Sequence, residues 1–433
     1  MFLTFLIFLA IVVTSFFTYC FIPFKAVQIT QNETLFLESP KLYVKDYPHF
    51  TYRRILLSNV KVPRIDYKTP QVFGDEKYID ACMFPRFNFE EHAKRSRVYM
   101  LHFKDTFCLS NGVFIKEGNF YAISHNCKKM VHQLYLNFEK PKSYQINFKR
   151  YHSIISLTHV NFETFGHWLS EIYPTFFLIP EEIRKTSYVL CFSIKQFHID
   201  GYEIAGIPKE RILDGNALKD LSSMPKQSGN NLKRLFNVVS NSVCSFLSKS
   251  SSTPSKSSVD AYTVFAENVY TFQLQTCMHM SAISIAFAKY QIKKILKLSE
   301  SPPNRYIIFD RKDSRKIIEI NQIFEKLKIS NPEISFEIRS ENKGNLQAQI
   351  RFWNSVKFVF GSHSSAIFGC LFMQPGSTVA VVEFRQCFHS LKYLAIASGH
   401  YFIHIREPQM LTSPFHVDVD FYVKFIEKAM SLK

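Results

Sequence analysis

The sequence predicts an α/β protein built as two doubly wound halves, and three observations carry that prediction. From Ser153 onward, apolar runs of strand length alternate with longer runs of helical period, the pattern of parallel strands joined by crossover helices. Ser299-Glu300-Ser301-Pro302-Pro303-Asn304 interrupts this alternation with a polar, Pro-rich stretch that a fresh strand follows, marking a boundary between halves. Near the C-terminal end, Val356 to Phe384 reads as one strand–turn–helix–strand unit. At 433 residues the chain also exceeds the size that one core usually serves.

Taken in order, residues 1–24 contain no charged side chain and are dominated by Phe, Leu, Ile and Val. As a helix they can cross a hydrocarbon core of about 30 Å. A cleaved signal peptide would want a basic start, a shorter apolar core and a small-x-small cleavage site. None of these is evident, so the stretch reads as an uncleaved membrane anchor. Either reading sends the rest of the chain into the secretory pathway. The basic residues after it, Lys25, Lys41, Lys45, Arg53 and Arg54, do not set an orientation, because long domains translocate largely regardless of such charges. In that compartment the net charge of +17 finds no nucleic acid. The expected anionic partners are nucleotide-sugar diphosphates, acidic glycans and the membrane surface. Asn32-Glu33-Thr34 is an N-glycosylation sequon just beyond the anchor. Apart from Cys20 in the anchor, the cysteines are even in number and permit disulfides, and none forms a C-x-x-C pair.

Residues 25–152 read as a stem followed by a β-rich region. To about Lys94 the pattern is irregular; from Val98 to Phe148 short alternating runs are broken by Asn111-Gly112 and Gly118-Asn119, which are hairpin turns. In residues 153–300 the sequence predicts strands at Ile154–Leu157, Tyr188–Phe192 and Arg211–Leu213, with helices through Asn161–Pro180, Ile194–Gly206 and Ser281–Leu298. Ser248 to Ser258 is a low-complexity solvated loop. In residues 301–433 it predicts strands Tyr306–Phe309 and Ile334–Ile338, and helices Glu319–Lys328 and Leu346–Asn354. The unit Val356–Phe360, Ala366–Met373, Val379–Phe384 follows, then a helix-like Phe421–Met430.

Several residue groups suit chemistry, each beside a plainer reading. The turn Gly361-Ser362-His363-Ser364-Ser365 opens a helix after a strand, where unpaired backbone N–H groups and the helix dipole favour phosphate; an ordinary βαβ turn has the same look. In Phe165-Gly166-His167-Trp168-Leu169-Ser170-Glu171 a helix would put His167 and Glu171 on one face, as a general base and its orienting partner or as a pair that satisfies itself. Arg311 and Arg315, just past a strand, could clamp a diphosphate or lie in a charged solvated loop. Asp418-Val419-Asp420 suits a metal-bound nucleotide-sugar or, more simply, an N-cap for the helix after it. There is no G-x-S-x-G, H-E-x-x-H, Walker loop or G-x-G-x-x-G.

Together, NFETFGHWLSEIYP and, far downstream, GSHSSAIFGCLFMQPGSTVAVVEF make the chain similar to glycosyltransferase family 61, which includes protein O-linked GlcNAc transferases and plant xylosyltransferases. The elements that carry the resemblance are Gly166–Glu171, Arg311 and Arg315 with Asn321, Gln349, Gly361–Ala366, Phe372–Gly376 and Glu383, over roughly Leu101 to Ile405. The resemblance implies a GT-B-like fold of two Rossmann-like domains facing across a cleft, with an acceptor-side half (153–300) and a nucleotide-sugar half (301–433). It implies inverting transfer of GlcNAc or xylose from a UDP-sugar to a protein or glycan, with no essential metal, by a single-pass type II protein of the Golgi or endoplasmic reticulum. In that scheme Gly361, His363, Ser364, Ser365, Arg311 and Arg315 hold phosphate, Glu383 bonds the ribose, and Glu171 or His167 is the base. One departure bears on this. Where the family carries His-Gly-Ala the chain has His363-Ser364-Ser365-Ala366, and a positive φ at Ser364 would strain it. That departure motivates the rival reading, a non-catalytic glycan-binding or chaperone-like relative with a degenerate donor site.

Overall fold

The computed structural model describes residues 33–37, 42–44, 52–56, 68, 71–73, 99–109, 112–116, 119–122, 144–157, 162–191, 193–215, 263–272, 281–312, 314–340, 344–384, 389–407 and 413–432. The predicted anchor, the Ser248–Ser258 loop, Asn32 of the sequon and most cysteines lie outside these residues. Among the described residues no helix is long and apolar enough to cross a membrane, and Cys108, Cys191 and Cys370 are buried free thiols.

Strands follow in chain order as β1 (Glu33–Leu37), β2 (Leu42–Val44), β3 (Tyr52–Leu56), β4 (Gln71–Phe73), β5 (Tyr99–Leu109), β6 (Val113–Lys116), β7 (Asn119–Ala122), β8 (Tyr144–Ser156), β9 (Tyr188–Cys191), β10 (Ile212–Asp214) and β11 (Thr263–Phe272). Then come β12 (Arg305–Phe309), β13 (Phe336–Arg339), β14 (Val356–Ser362), β15 (Thr378–Phe384) and β16 (Tyr401–Glu407). Helix α1 has three parts: α over Phe165–His167, π over Trp168–Ile172 and α again over Tyr173–Phe176. The other helices are α2 (Glu181–Thr186), α3 (Gln196–Ile204), α4 (Ala282–Ile295), α5 (Ile320–Ser330), α6 (Leu346–Asn354), α7 (His389–Ala397) and α8 (Val419–Met430).

The C-terminal sheet matches the doubly wound expectation. Its order is β13-β12-β14-β15-β16-β4, and every pair is parallel. The winding reverses between β12 and β14, and in such sheets ligands bind in the crevice beyond the strand C-termini at that reversal. Burial alternates with period two: Ile307, Val359, Val381 and Phe402 face one cluster, Ile308, Phe360, Val382 and Ile403 the other. The second cluster lies under α5 and α8, through Ile323, Leu327, Phe425 and Ile426. Strand β4, drawn from the predicted stem, adds an edge to this sheet beside β16, and Phe73 packs on Phe421 and Phe425.

The ten-stranded sheet, ordered β10-β9-β8-β11-β5-β6-β7-β2 with β1 and β3 off that path, departs from a doubly wound pattern. β8, β9, β10 and β11 pair in parallel, but β11 then meets β5 antiparallel along most of its length. The predicted strand Ile154–Leu157 is the end of the much longer β8, which runs through residue 152, and β11 is a strand the periodicity did not reveal. The halves share one core. Met100, Ile155, Val189 and Phe272 of the first sheet and Val359, Val381 and Phe402 of the second belong to a single buried cluster, through Trp168, Ile285, Trp353 and Leu391 of the helices between them.

Candidate functional site

Two groups of polar side chains meet at the reversal of the C-terminal sheet, and backbone geometry brings them there. Phe309, the last residue of β12, pairs with Gly361 of β14. A Cβ at Gly361 would lie 2.9 Å from the Phe309 carbonyl oxygen, so only glycine lets the two strands close at this point. Ser362 pairs with Val382 of β15, so His363, just past β14, stands beside Glu383, which is still within β15.

His363 Nδ1 donates to Glu383 Oε1 at 3.0 Å, and both side chains are buried. Arg311, just past β12, donates from Nη1 to the His363 carbonyl at 2.7 Å. Arg315 takes a left-handed conformation, φ 61°, and its guanidinium lies over Phe384, at the end of β15, 5.7 Å from the ring centre. Hydrogen bonds thus link Arg311, His363 and Glu383 where β14 ends, and Arg315 lies over the neighbouring Phe384. Glu383, expected to bond a ribose, meets His363 through one of its two oxygens.

Ser364 has φ −152° and ψ 154°, plain extended backbone, and Ser365 begins the helix after it. Neither serine takes positive φ, so the Ser364-Ser365 departure costs no backbone strain. The helix differs from the expected α-turns. Ser365–Phe372 is 3₁₀, and within it Gly369 sits against the Trp353 indole, where a Cβ would overlap the ring. Among the described residues the buried Ser362 and Ser364 hydroxyls and Glu383 Oε2 have no hydrogen-bond partner, and they cluster around the turn.

The second constellation sits on α1. His167 Nδ1 donates to Glu171 Oε1 at 2.6 Å. The Glu171 side chain is 4% exposed and that of His167 26%, so the imidazole faces outward with the carboxylate behind it. The π turn begins directly after His167 and contains Glu171, and the Ser170 hydroxyl bonds back to the Gly166 carbonyl at 2.7 Å. Single π turns inside helices concentrate at functional sites because they re-aim side chains.

Phe368 of the 3₁₀ helix joins the two constellations. A Cβ at Gly166 would touch its ring, and the same ring meets His363 edge-on at 5.9 Å between centres. Sequence reasoning did not find Phe368, which looks like one more apolar residue among 44 phenylalanines. It also gave no role to Asp310 and did not single out Lys392. Asp310 follows β12, where burial raises its carboxyl pKa and Lys316 partly offsets this from 3.8 Å. Lys392 on α7 has its ammonium pKa lowered by burial and partly restored by the charge of Glu383. A strand-end acidic residue and a mid-helix lysine are the only signals the sequence offers for them.

The Asp418-Val419-Asp420 stretch resolves as capping. Asp418 accepts from the Phe421 backbone N–H at 3.0 Å at the start of α8, and Asp420 pairs with Lys326 at 2.6 Å. None of the curated proteins compared matches the chain. The model of the family described as Glycosyltransferase 61 matches residues 165–380, from the α1 constellation through the Gly361–Ser365 turn into β15, and the chain belongs to glycosyltransferase family 61.

Proposed function

We propose that the protein is an inverting glycosyltransferase of GT-B type that moves a sugar, GlcNAc or xylose, from a UDP-sugar to a protein or glycan hydroxyl. The observation that supports this best is the convergence of two motifs, distant in sequence, on Phe368 beside the reversal of a parallel sheet. In this reading the β14 turn, with Ser364 and Ser365 at the helix start, faces the donor diphosphate, and Arg311 and Arg315 supply the positive charge. His167 is the base. It is the exposed member of its pair, and Glu171 behind it fixes Nδ1–H so that Nε2 can accept a proton. The acceptor oxygen attacks the anomeric carbon as its proton passes to His167. The bond from that carbon to the diphosphate oxygen breaks on the opposite face, UDP leaves with the electron pair, and the configuration inverts.

The proposal includes no essential metal, and the extended backbone at Ser364 leaves the rival, degenerate-site reading without its strain argument. The expected setting is lumenal, in the Golgi or endoplasmic reticulum, with residues 1–24 as a type II anchor. A panel of UDP-sugars with free UDP as readout tests the proposal. One sugar should be turned over, and His167→Ala should lower that rate by about 10²–10⁴-fold while UDP still binds. Unimpaired transfer by His167→Ala would overturn the assignment of the base.

A further inference from the structure

We propose that residues 413–417, which lead into α8, form a strap that positions the Arg315 guanidinium, with Glu319 and Phe415 as its fastening residues. The inference rests on the donor-site reading above, in which Arg315 meets phosphate, and extends it to residues beyond the stretch that the family model matches. Arg315 has φ 61°, the left-handed region that is unfavourable for a residue with a side chain and persists only where the surroundings hold it. Three backbone hydrogen bonds to the strap surround this position. The Arg315 N–H donates to the Ser413 carbonyl at 3.1 Å, the Phe415 N–H to the Lys316 carbonyl at 2.9 Å, and the Ile318 N–H to the Phe415 carbonyl at 3.0 Å. Ile317 and Phe415 form a parallel bridge between the two segments.

Side chains fasten the strap as well. Glu319, just before α5, accepts the Val417 N–H at 3.0 Å with one carboxylate oxygen and His416 Nδ1–H at 2.5 Å with the other. Its side chain is 14% exposed; burial opposes its charge, but these hydrogen bonds outweigh that and hold the carboxyl below its usual range. His416 is the weaker partner, since it stands in solvent. Phe415 is buried and meets the Phe384 ring edge-on at 5.7 Å between centres, and the Arg315 guanidinium lies over that same ring. Phe384 is thus shared by the strap and the arginine, and its chain neighbour Glu383 bonds His363 of the Gly361–Ser365 turn. The strap sets the backbone from which the arginine leaves, and Phe384 braces its charged end. A long side chain held in this way loses less rotamer freedom when an anion binds.

Calorimetric titration with UDP tests the strap, because it returns the affinity and the fraction of competent molecules separately. Arg315→Ala should weaken UDP by about 10- to 100-fold. Glu319→Ala should weaken it by about 3- to 10-fold at unchanged stoichiometry. In the Arg315→Ala background, Glu319→Ala should cost nothing more, because the strap acts through the arginine. Wild-type affinity in Glu319→Ala, with or without a fall in stoichiometry, would make that residue purely structural, and additive losses in the double variant would mean that the strap acts elsewhere. Either result overturns the inference and leaves the donor-site reading standing. Undiminished binding by Arg315→Ala would remove the arginine from the phosphate clamp, and the inference would fall with it. Absence of UDP binding by the wild type would overturn the donor-site reading itself, before any variant is made. If Glu319→Ala does not fold, Phe415→Leu, which keeps an apolar side chain and withdraws the ring from Phe384, takes its place in the same cycle.

Discussion

Among the described residues a histidine backed by a buried glutamate occurs twice, and the two pairs show how differently one chemistry can be written in a sequence. His167 and Glu171 are four residues apart on one helix, so their pairing is readable from spacing alone. His363 and Glu383 are 20 residues apart and meet only through the parallel register of β14 and β15, which no local pattern encodes. A third histidine plays a structural part. His198 is fully buried, accepts from the Lys195 N–H at Nδ1 and donates from Nε2 to the Phe162 carbonyl, and burial lowers its pKa to about 3. Unfolded, it titrates near 6.5. Between those values the unfolded chain binds the extra proton, so this contribution is whole above about pH 6.5 and is lost as pH falls toward 3. The stability advantage of wild type over His198→Gln, from urea titrations, should therefore shrink steadily as pH falls from 6.5. A pH-independent advantage would contradict the neutral, buried assignment.

At the scale of elements, the C-terminal sheet was legible because its strands are apolar on both faces and its helices are cleanly periodic. Leu346–Asn354 falls where the pattern puts it, with Asn345 capping through the Ala348 N–H at 2.9 Å. β11 was not legible, since Glu267 and Asn268 break its alternation where its neighbours, β5 and β8, supply the partners. The π turn of α1 and the 3₁₀ form of Ser365–Phe372 were illegible because apolar periodicity does not distinguish them from α-helix, and Gly166 and Gly369 beside them pack closely on Phe368 and Trp353, residues distant in the chain. The closeness of β12 and β14 gives a sharp expectation. Gly361→Ala should destabilise the fold by about 1–3 kcal/mol in denaturant unfolding, because its new methyl meets backbone that cannot rotate away. A neutral effect would mean that the strands part more easily than their pairing implies.

For the whole molecule, the sequence gives two halves and the structure gives one core. Helices α1, α3, α4, α6 and α7 pack between the sheets, and the buried cluster they form takes residues from both. Asp200 of α3 even accepts the Leu346 backbone N–H at 2.9 Å, so a residue of one half caps a helix of the other. Unfolding by calorimetry should accordingly give a single transition whose calorimetric and van't Hoff enthalpies agree. Two resolved transitions would show halves that fold independently. The Pro-rich Ser299–Asn304 stretch is thus a boundary in topology, with packing continuous across it.

Strand β4 has a bearing on how this protein can be cut and expressed. Three residues drawn from well before the matched family region, Gln71–Phe73, finish the edge of the sheet that carries the Gly361–Ser365 turn. A recombinant fragment trimmed to 165–380 would end inside β15 and lack β16, β4 and α8, leaving an apolar sheet face and a raw strand edge open to self-association. The stretch that records ancestry is therefore smaller than the stretch that folds. The shortest useful fragment has to begin upstream of Gln71 and continue through α8.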